Sequence, residues 1–377
     1  MVEWRFRVLD DNGVSTVSEE RASVGTGYLR RINWRVILGL IVSGVSLYIA
    51  VRNLQPLEVW RAFKQANYIW IVPAVVLYIF ALMARTARWQ ALLSSERRIP
   101  FQQLLPTMAI GRGANNIYPF RAGEIVRVLL LRQRNDVSAT AGLASILVER
   151  VFDGLTMILF LLLAALIGGI PGAQSLDLFG ESVVVNVRYI LWLAIAVFGV
   201  ALGGIYAIEL WPQPIRKVAE WLIVHLAPHR FHKRLMGITE RFIGSFSCVR
   251  SVGTLTLVLF FSITVWTAET ISYRLLMNSF GFGVDLHNLL LMSGAANLGT
   301  ALPSGPGNLG TFDAPSILVL TGVGVLKDRA ISYQFLLHAV LWCTETFAGL
   351  WFMWRGGLKK ADLDRSLDGV EDDSPDV

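Results

Sequence analysis

At 377 residues, 54% hydrophobic and only 16% charged, with a mean hydropathy of +0.52, the chain is too apolar to be a water-soluble globule. This composition places it among polytopic, all-α integral membrane proteins. Its net charge of +6 calls for no nucleic-acid partner, because the Lys and Arg excess sits in short loops beside apolar runs, where it marks the cytoplasmic side of a bilayer.

In chain order, residues 1–33 are a polar leader, expected to be disordered and cytoplasmic. It is too long and too polar before the first apolar run to be a cleavable signal peptide. Stretches able to cross, roughly 20 apolar residues each, lie near 36–52, 67–84, 139–168, 188–210, 253–278 and 331–354, so about six full crossings are expected. Two further apolar regions, 100–134 and 287–326, are interrupted by Gly, Pro, Asn and charge, and read as re-entrant helical hairpins. Their interruptions resemble each other: Gly113-Ala114-Asn115-Asn116 before Pro119, and Gly294-Ala295-Ala296-Asn297 before Pro303. Irregular backbone at bilayer depth survives only where protein or a water-filled cavity covers it, and such breaks in corresponding halves point to a binding site.

Orientation follows from the basic residues. Arg30, Arg31 and Arg35, then Arg85, Arg88, Arg97 and Arg98, then the 211–252 loop and finally Arg355, Lys359 and Lys360 belong on the cytoplasmic side, with both termini. Loops 169–187 and 279–286 carry acidic residues and no Lys or Arg, which puts them outside; Arg52, Arg61 and Lys64 run against this scheme. On this map the second half repeats the order of the first from the opposite side, an inverted repeat. The 211–252 loop is basic and amphipathic and reads as an interfacial segment on an anionic leaflet. Residues 356–377 form an acidic tail, expected to be disordered. Cys248 and Cys343 stand alone, so neither a disulfide nor a metal site is expected, and no motif asks for a cofactor.

The densest charge lies at the first hairpin, where Arg121, Glu124 and Arg127 follow Arg112 and precede Arg132 and Arg134. Guanidinium groups beside a helix N-terminus suit a phosphate or carboxylate, and Glu124 with Arg127 forms an i,i+3 pair on a helix. The structural alternative is positive-inside anchoring. Glu149, Arg150 and Asp153 lie well inside an apolar run, where charge is costly and must face protein or water. They are candidate head-group contacts or a bracing ion network, with Arg150 and Asp153 spaced to pair. Glu269 with Arg274, and Glu345 near His338, are candidates for proton coupling or helix-to-helix hydrogen bonding. In the second hairpin Asn297, Asn308 and Asp313 are candidate site residues, Asp313 also being placed to cap the helix that follows. Asn116 is their counterpart in the first.

Three motifs together, Arg121-Ala122-Gly123-Glu124-Ile125-Val126-Arg127, Val148-Glu149-Arg150-Val151-Phe152-Asp153-Gly154 and the stretch from Pro303 to Ala314, give the chain a resemblance to the lysylphosphatidylglycerol synthase transmembrane, or flippase-like, family. The resemblance covers nearly all of 35–355, so residues 34–355 are expected to form one flippase-like domain. It implies a bacterial or archaeal cytoplasmic membrane protein that moves amphiphilic lipids between leaflets. The family usually carries Glu where this chain has Asp313, and often Gly where it has Asn308. The short tail leaves no room for the aminoacyl-transferase domain fused to some relatives, so aminoacyl-lipid synthesis is not expected.

The leading expectation is a flippase or scramblase for an anionic phospholipid, glycolipid or polyprenyl-linked lipid, with membrane lipids as partners and no enzymatic step. The alternatives are a membrane-embedded lipid-modifying enzyme using Glu149 and Asp153, or a non-transporting partner of such an enzyme docked through 211–252. The Gly-rich stretch 199–204 allows either internal packing or a homo-oligomer.

Overall fold

In the computed structural model the described residues are 56–118, 121–168, 173–178, 181–226, 229, 232–244, 252–302 and 304–356, with 41, 44, 45 and 48. The leader, the tail beyond 356, most of the first expected crossing, and Pro119, Cys248 and Pro303 lie outside them.

The described residues are all-α apart from one ribbon. Helix α1 spans Pro56–Gln65, and α2 (Ile71–Leu93) follows a 3-10 turn whose start is capped by the Asn67 side chain. Two shorter helices, α3 (Phe101–Ile117) and α4 (Gly123–Asn135), precede the long α5 (Ala139–Gly168). Strands β1 (Ala173–Leu178) and β2 (Glu181–Asn186) pair antiparallel, Leu178 opposite Glu181, where the sequence suggested only an acidic loop. The run Ser182-Val183-Val184-Val185 favours extended backbone. Then come α6 (Val187–Leu210), α7 (Pro212–Leu226), α8 (His232–Gly244), α9 (Val252–Ser279), α10 (Leu286–Gly299), α11 (Asp313–Gly322) and α12 (Lys327–Arg355).

Four helical segments among the described residues are long and apolar enough to cross a membrane: Tyr68–Leu93, Ala139–Gly168, Gly253–Ser279 and Lys327–Arg355. Helix α6 is continuous over 24 residues where a further crossing was expected. Bilayer solvation is written into the faces of α2: Val72, Val76, Ile79, Phe80 and Met83 are exposed, while Ala74, Tyr78, Ala81, Arg85, Arg88 and Trp89 are buried. The polar residues point at protein and the apolar ones at lipid, as a helix in hydrocarbon requires.

This corrects one expectation. The second crossing does not stop at residue 84 with Arg85 and Arg88 in a cytoplasmic loop; α2 runs on to Leu93 and both arginines are fully inside it. Carboxylates on other helices meet them, which removes the usual penalty for charge at that depth.

A second correction concerns the repeated Gly-Ala-x-Asn segments. Gly113 to Asn116 and Gly294 to Asn297 are not the breaks themselves but the last turns of α3 and α10. Their glycines serve close packing instead. A Cβ on Gly113 would lie 3.1 Å from the Glu345 carbonyl oxygen and 3.3 Å from the Gly349 Cα on α12, and one on Gly294 would lie 2.7 Å from Leu161 Cδ2 on α5. The chain breaks just beyond each segment.

Those two contacts are instances of a twofold pattern. Helix α2 packs along α9; α3 packs against α12, and its counterpart α10 packs against α5. Each short helix pair, α3–α4 and α10–α11, is thus covered by the long closing helix of the other half of the chain. At 1.5 Å per residue, α3 and α10 are only about 26 and 21 Å long, shorter than the roughly 30 Å of a hydrocarbon core.

Candidate functional site

Both breaks are built on backbone contacts that exclude a side chain. A Cβ on Gly123 would lie 1.9 Å from the Gly111 carbonyl oxygen, so α4 folds back directly onto α3. A Cβ on Gly299 would lie 2.2 Å from the Thr311 oxygen, closing the second pair in the same manner. Left-handed backbone turns the chain at both places: Arg121 (φ 55°) in the first, and Gly307 (67°), Asn308 (56°) and Gly310 (81°) in the second. Non-glycine residues rarely adopt such angles, and they cluster at functional sites.

The breaks face each other across a polar cavity of about 100 Å³. Its first-half wall carries Tyr78, Arg85, Arg112, Asn115, Asn116, Arg121, Glu124 and Arg150. The second half supplies Trp266, Glu269, Tyr273, Asn297, Thr300, Asn308, His338, Trp342 and Glu345. The gap between the breaks is bridged by Arg121, whose Nη2 donates to the Thr300 carbonyl oxygen at 2.7 Å and to its Oγ1 at 2.8 Å.

Ion pairs bind the cavity wall to the helices behind it. Arg85 pairs with Glu269, and Arg112 with Glu345, which also accepts from the Tyr78 hydroxyl at 2.6 Å. Deeper, Arg88 donates to Asp153 at 2.6 Å and lies 3.0 Å from Glu149, while Ser262 Oγ accepts at 2.9 Å and Trp266 Nε1 donates to Asp153 at 2.8 Å. Arg127 pairs with Glu149 at 2.9 Å and stacks over Trp89, 4.2 Å from its ring centre. Arg150 reaches Glu149 at 2.9 Å, Asp153 at 3.2 Å and Glu124 at 3.5 Å. With Arg121 and Asp313, which makes no arginine contact, the set around the cavity holds six guanidinium groups and six carboxylates.

Arg121 stands apart. Among the described residues its nearest carboxylate is Glu124 at 3.9 Å, the longest pairing distance in the set, and its strongest contacts are to neutral oxygens. Three buried polar atoms on lining residues also lack a hydrogen-bond partner among the described residues, Arg85 Nη1, Asn115 Oδ1 and Arg150 Nε.

Of the candidates read from sequence, Arg112, Asn116, Arg121, Glu124, Arg150, Asn297, Asn308, Glu269 and Glu345 line this cavity. Arg127 does not: it is 1% exposed and turned into the core. The anticipated Glu124–Arg127 pair is absent, because the two side chains leave α4 on different faces; Glu124 meets Arg150 and Arg121, and Arg127 meets Glu149. Glu149 and Asp153 sit behind the wall in the ion network. Glu269 pairs with Arg85 instead of Arg274, whose Nη1 donates to Asn278. Glu345 pairs with Arg112, and His338 meets Asp313. Asp313 makes no capping bond forward into α11; its Oδ2 accepts from Gly310 N, behind it in the chain. Tyr78, Trp266, Thr300 and Trp342 carry no signal in the sequence that marks them as wall residues. Arg85 and Arg88 had one: they are three apart, and apolar Trp89, Ala91, Leu92 and Leu93 continue beyond them.

Among the described residues no group of three His, Cys, Asp or Glu side chains is placed to hold a metal ion. The arrangement can do one thing plainly: offer a guanidinium and unsatisfied polar atoms to a hydrated anionic group inside an apolar protein.

Comparison with known proteins places these features in a lineage. The family model for the lysylphosphatidylglycerol synthase TM region matches residues 36–349. The chain is 25% identical over 329 residues to the protein named glycosyltransferase AglD of Haloferax volcanii, covering 81% of this chain and 52% of that protein. It is 26% identical over 290 residues to a UPF0104 membrane protein of Methanothermobacter thermautotrophicus, covering 74% and 83%, and 21% identical over 317 residues to one of Pyrococcus horikoshii, covering 82% and 94%. It therefore spans about half the length of the first of these relatives and most of the other two.

Proposed function

Because the chain belongs to the lysylphosphatidylglycerol synthase TM region family and is a multi-pass membrane protein, we propose that it moves lipids with anionic head groups between the leaflets of the cytoplasmic membrane. The helix pairs α3–α4 and α10–α11 enter from opposite sides as re-entrant hairpins, and their breaks meet near the midplane. The head group passes through the polar cavity while the tails stay in the bilayer. Stripping water from a charged head costs several kcal/mol unless new hydrogen bonds replace it. Arg121 offers the charge-assisted contacts that do so.

One observation carries this reading: the Arg121 side chain reaches from the first break to the second, is held by neutral Thr300 oxygens, and lacks a close carboxylate among the described residues. An arriving phosphate can exchange for Thr300 without breaking a buried ion pair. It thereby also releases the one hydrogen-bonded bridge that Arg121 makes between the breaks. Arg150, Arg85 and Arg112 are held in ion pairs and brace the wall. No catalytic step is assigned to the chain.

The test is dithionite quenching of tail-labelled lipids in proteoliposomes. Wild type exposes inner-leaflet label faster for anionic than for zwitterionic heads, and Arg121→Ala, which removes no buried ion pair, loses that activity while remaining folded. Normal transport by Arg121→Ala sinks the assignment. The relative named a glycosyltransferase favours a second reading, action on or beside a sugar-bearing lipid. Incubating the pure protein with lipid extract and finding a mass change in a lipid would replace transport with chemistry.

A further inference from the structure

One titratable group on the cavity wall is held by a carboxylate and not by an arginine. His338 on α12 lines the wall, with Nδ1 2.7 Å from Asp313 Oδ1 at the start of α11. Its ring stands edge-on to Phe312 at 5.7 Å, and Nε2 lies toward Gly307, 3.8 Å from where a Cβ on that glycine would stand. Asp313 is 2% exposed and fixed from three directions: Gln334 Nε2 donates to Oδ1 at 2.9 Å, Gly310 N donates to Oδ2 at 2.8 Å, and His338 completes the set. The carboxylate thus orients the imidazole, with a backbone N–H of the second break on its other oxygen.

The charge balance of the cavity gives this pair a task. Summed over the cavity wall and the network behind it, six arginines already balance six carboxylates, Asp313 among them, so an entering phosphate adds a net negative charge in a low-dielectric site. Such a charge is tolerated where a counter-charge arrives with it. The carboxylates Glu124, Glu269 and Glu345 are all engaged by guanidinium groups. Histidine is the side chain that gains charge near neutral pH, and an imidazolium at His338 would rest against the Asp313 carboxylate.

We propose that the His338–Asp313 pair is a proton-binding site that fills together with the anionic head group, so that each lipid moved carries a proton with it. This rests on the transport reading and names its coupling ion. The charged and titratable groups facing His338 are consistent with one proton. Asp313 lies on α11, Glu345 on its own helix, Arg112 on α3, Glu124 on α4, Arg150 on α5, Tyr78 and Arg85 on α2, Glu269 and Tyr273 on α9, and Arg121 at the first break. Arg61 and Lys64 of α1, which also packs on α12, are exposed. Glu269 and Glu345, the carboxylates that the sequence suggested for proton coupling, are braced by Arg85 and Arg112, and the coupling role passes to the imidazole.

Calorimetric titration of the detergent-solubilised protein with a short-chain phosphatidylglycerol, in two buffers of different ionisation enthalpy, counts the protons taken up per lipid bound. Wild type takes up close to one at mildly alkaline pH, and its affinity falls about tenfold per pH unit there, as linkage of one proton to one ligand requires. His338→Gln keeps a hydrogen bond to Asp313, takes up none and loses the pH dependence. Asp313→Asn, which retains the imidazole but removes its counter-charge, also loses uptake at neutral pH. Binding of phosphatidylglycerol without proton uptake, or uptake unchanged in folded His338→Gln, overturns the proposal and leaves lipid transport standing. If wild type neither binds nor moves a lipid with any head group, the transport reading falls first and takes the proton site with it.

Discussion

Replacing Arg88 with Met removes the cation around which Glu149 and Asp153 are arranged. Arg88 is 0% exposed and contacts both carboxylates and Ser262. In its absence Asp153 keeps Trp266 and Arg150, and Glu149 keeps Arg127 and Arg150, but one negative charge in the cluster has no counterpart. Removing one member of a buried ion pair costs about 3–5 kcal/mol, since the surviving charge is left desolvated. At roughly 2 °C per kcal/mol for a chain of this size, the midpoint drops by about 6 °C at the least. Thermal unfolding in detergent, followed by the fluorescence of the 12 tryptophans, reads this directly. The double variant Arg88→Met with Asp153→Asn restores neutrality, and the pair shows a coupling of about 2 kcal/mol in a double-mutant cycle. Melting of Arg88→Met together with wild type, or a double variant less stable than the single, would refute the closed-network account.

Gly123→Ala puts a methyl 1.9 Å from a backbone oxygen that cannot rotate away, so it costs at least the ~1–3 kcal/mol typical of overpacking. Gly199→Ala, on α6 with nothing within 4 Å, instead gains about 0.5–1 kcal/mol of helix propensity, and the two melting curves shift in opposite directions. Val76→Arg, at a position 60% exposed on the outer face of α2, raises the apparent free energy of membrane insertion of that helix by about 2.5–3.5 kcal/mol, read by a glycosylation-site insertion assay.

Much of this architecture was legible in sequence because hydrophobic length is a strong signal in membranes. The helix ends at Ile117 and Gly299 follow closely on the repeated Gly-Ala-x-Asn segments, and the charges on α5 announced a buried network. What stayed hidden was the choice of partner. Glu269 was read beside Arg274 and Glu345 beside His338 because these are neighbours along one helix. The observed partners, Arg85 and Arg112, lie 184 and 233 residues away. Proximity in sequence does not rank candidates once helices from opposite halves interlock. Arg85 and Arg88 were misplaced for a related reason: charge at the edge of an apolar run looks like the membrane surface until its counter-charges are known.

The interlocking has a consequence for how the protein is made. Helix α3 finds its cover in α12, the last long helix of the domain, and the Arg112 and Asn116 side chains take their partners Glu345, Thr346 and the Trp342 carbonyl from it. During synthesis the first helix pair therefore has its polar face unmatched until α12 has been translated. Through that interval neighbouring water, lipid head groups or the insertion machinery must hold groups that the finished protein holds itself. By the same logic, two co-expressed half-chains need each other from the start, since each carries the helix that completes the other.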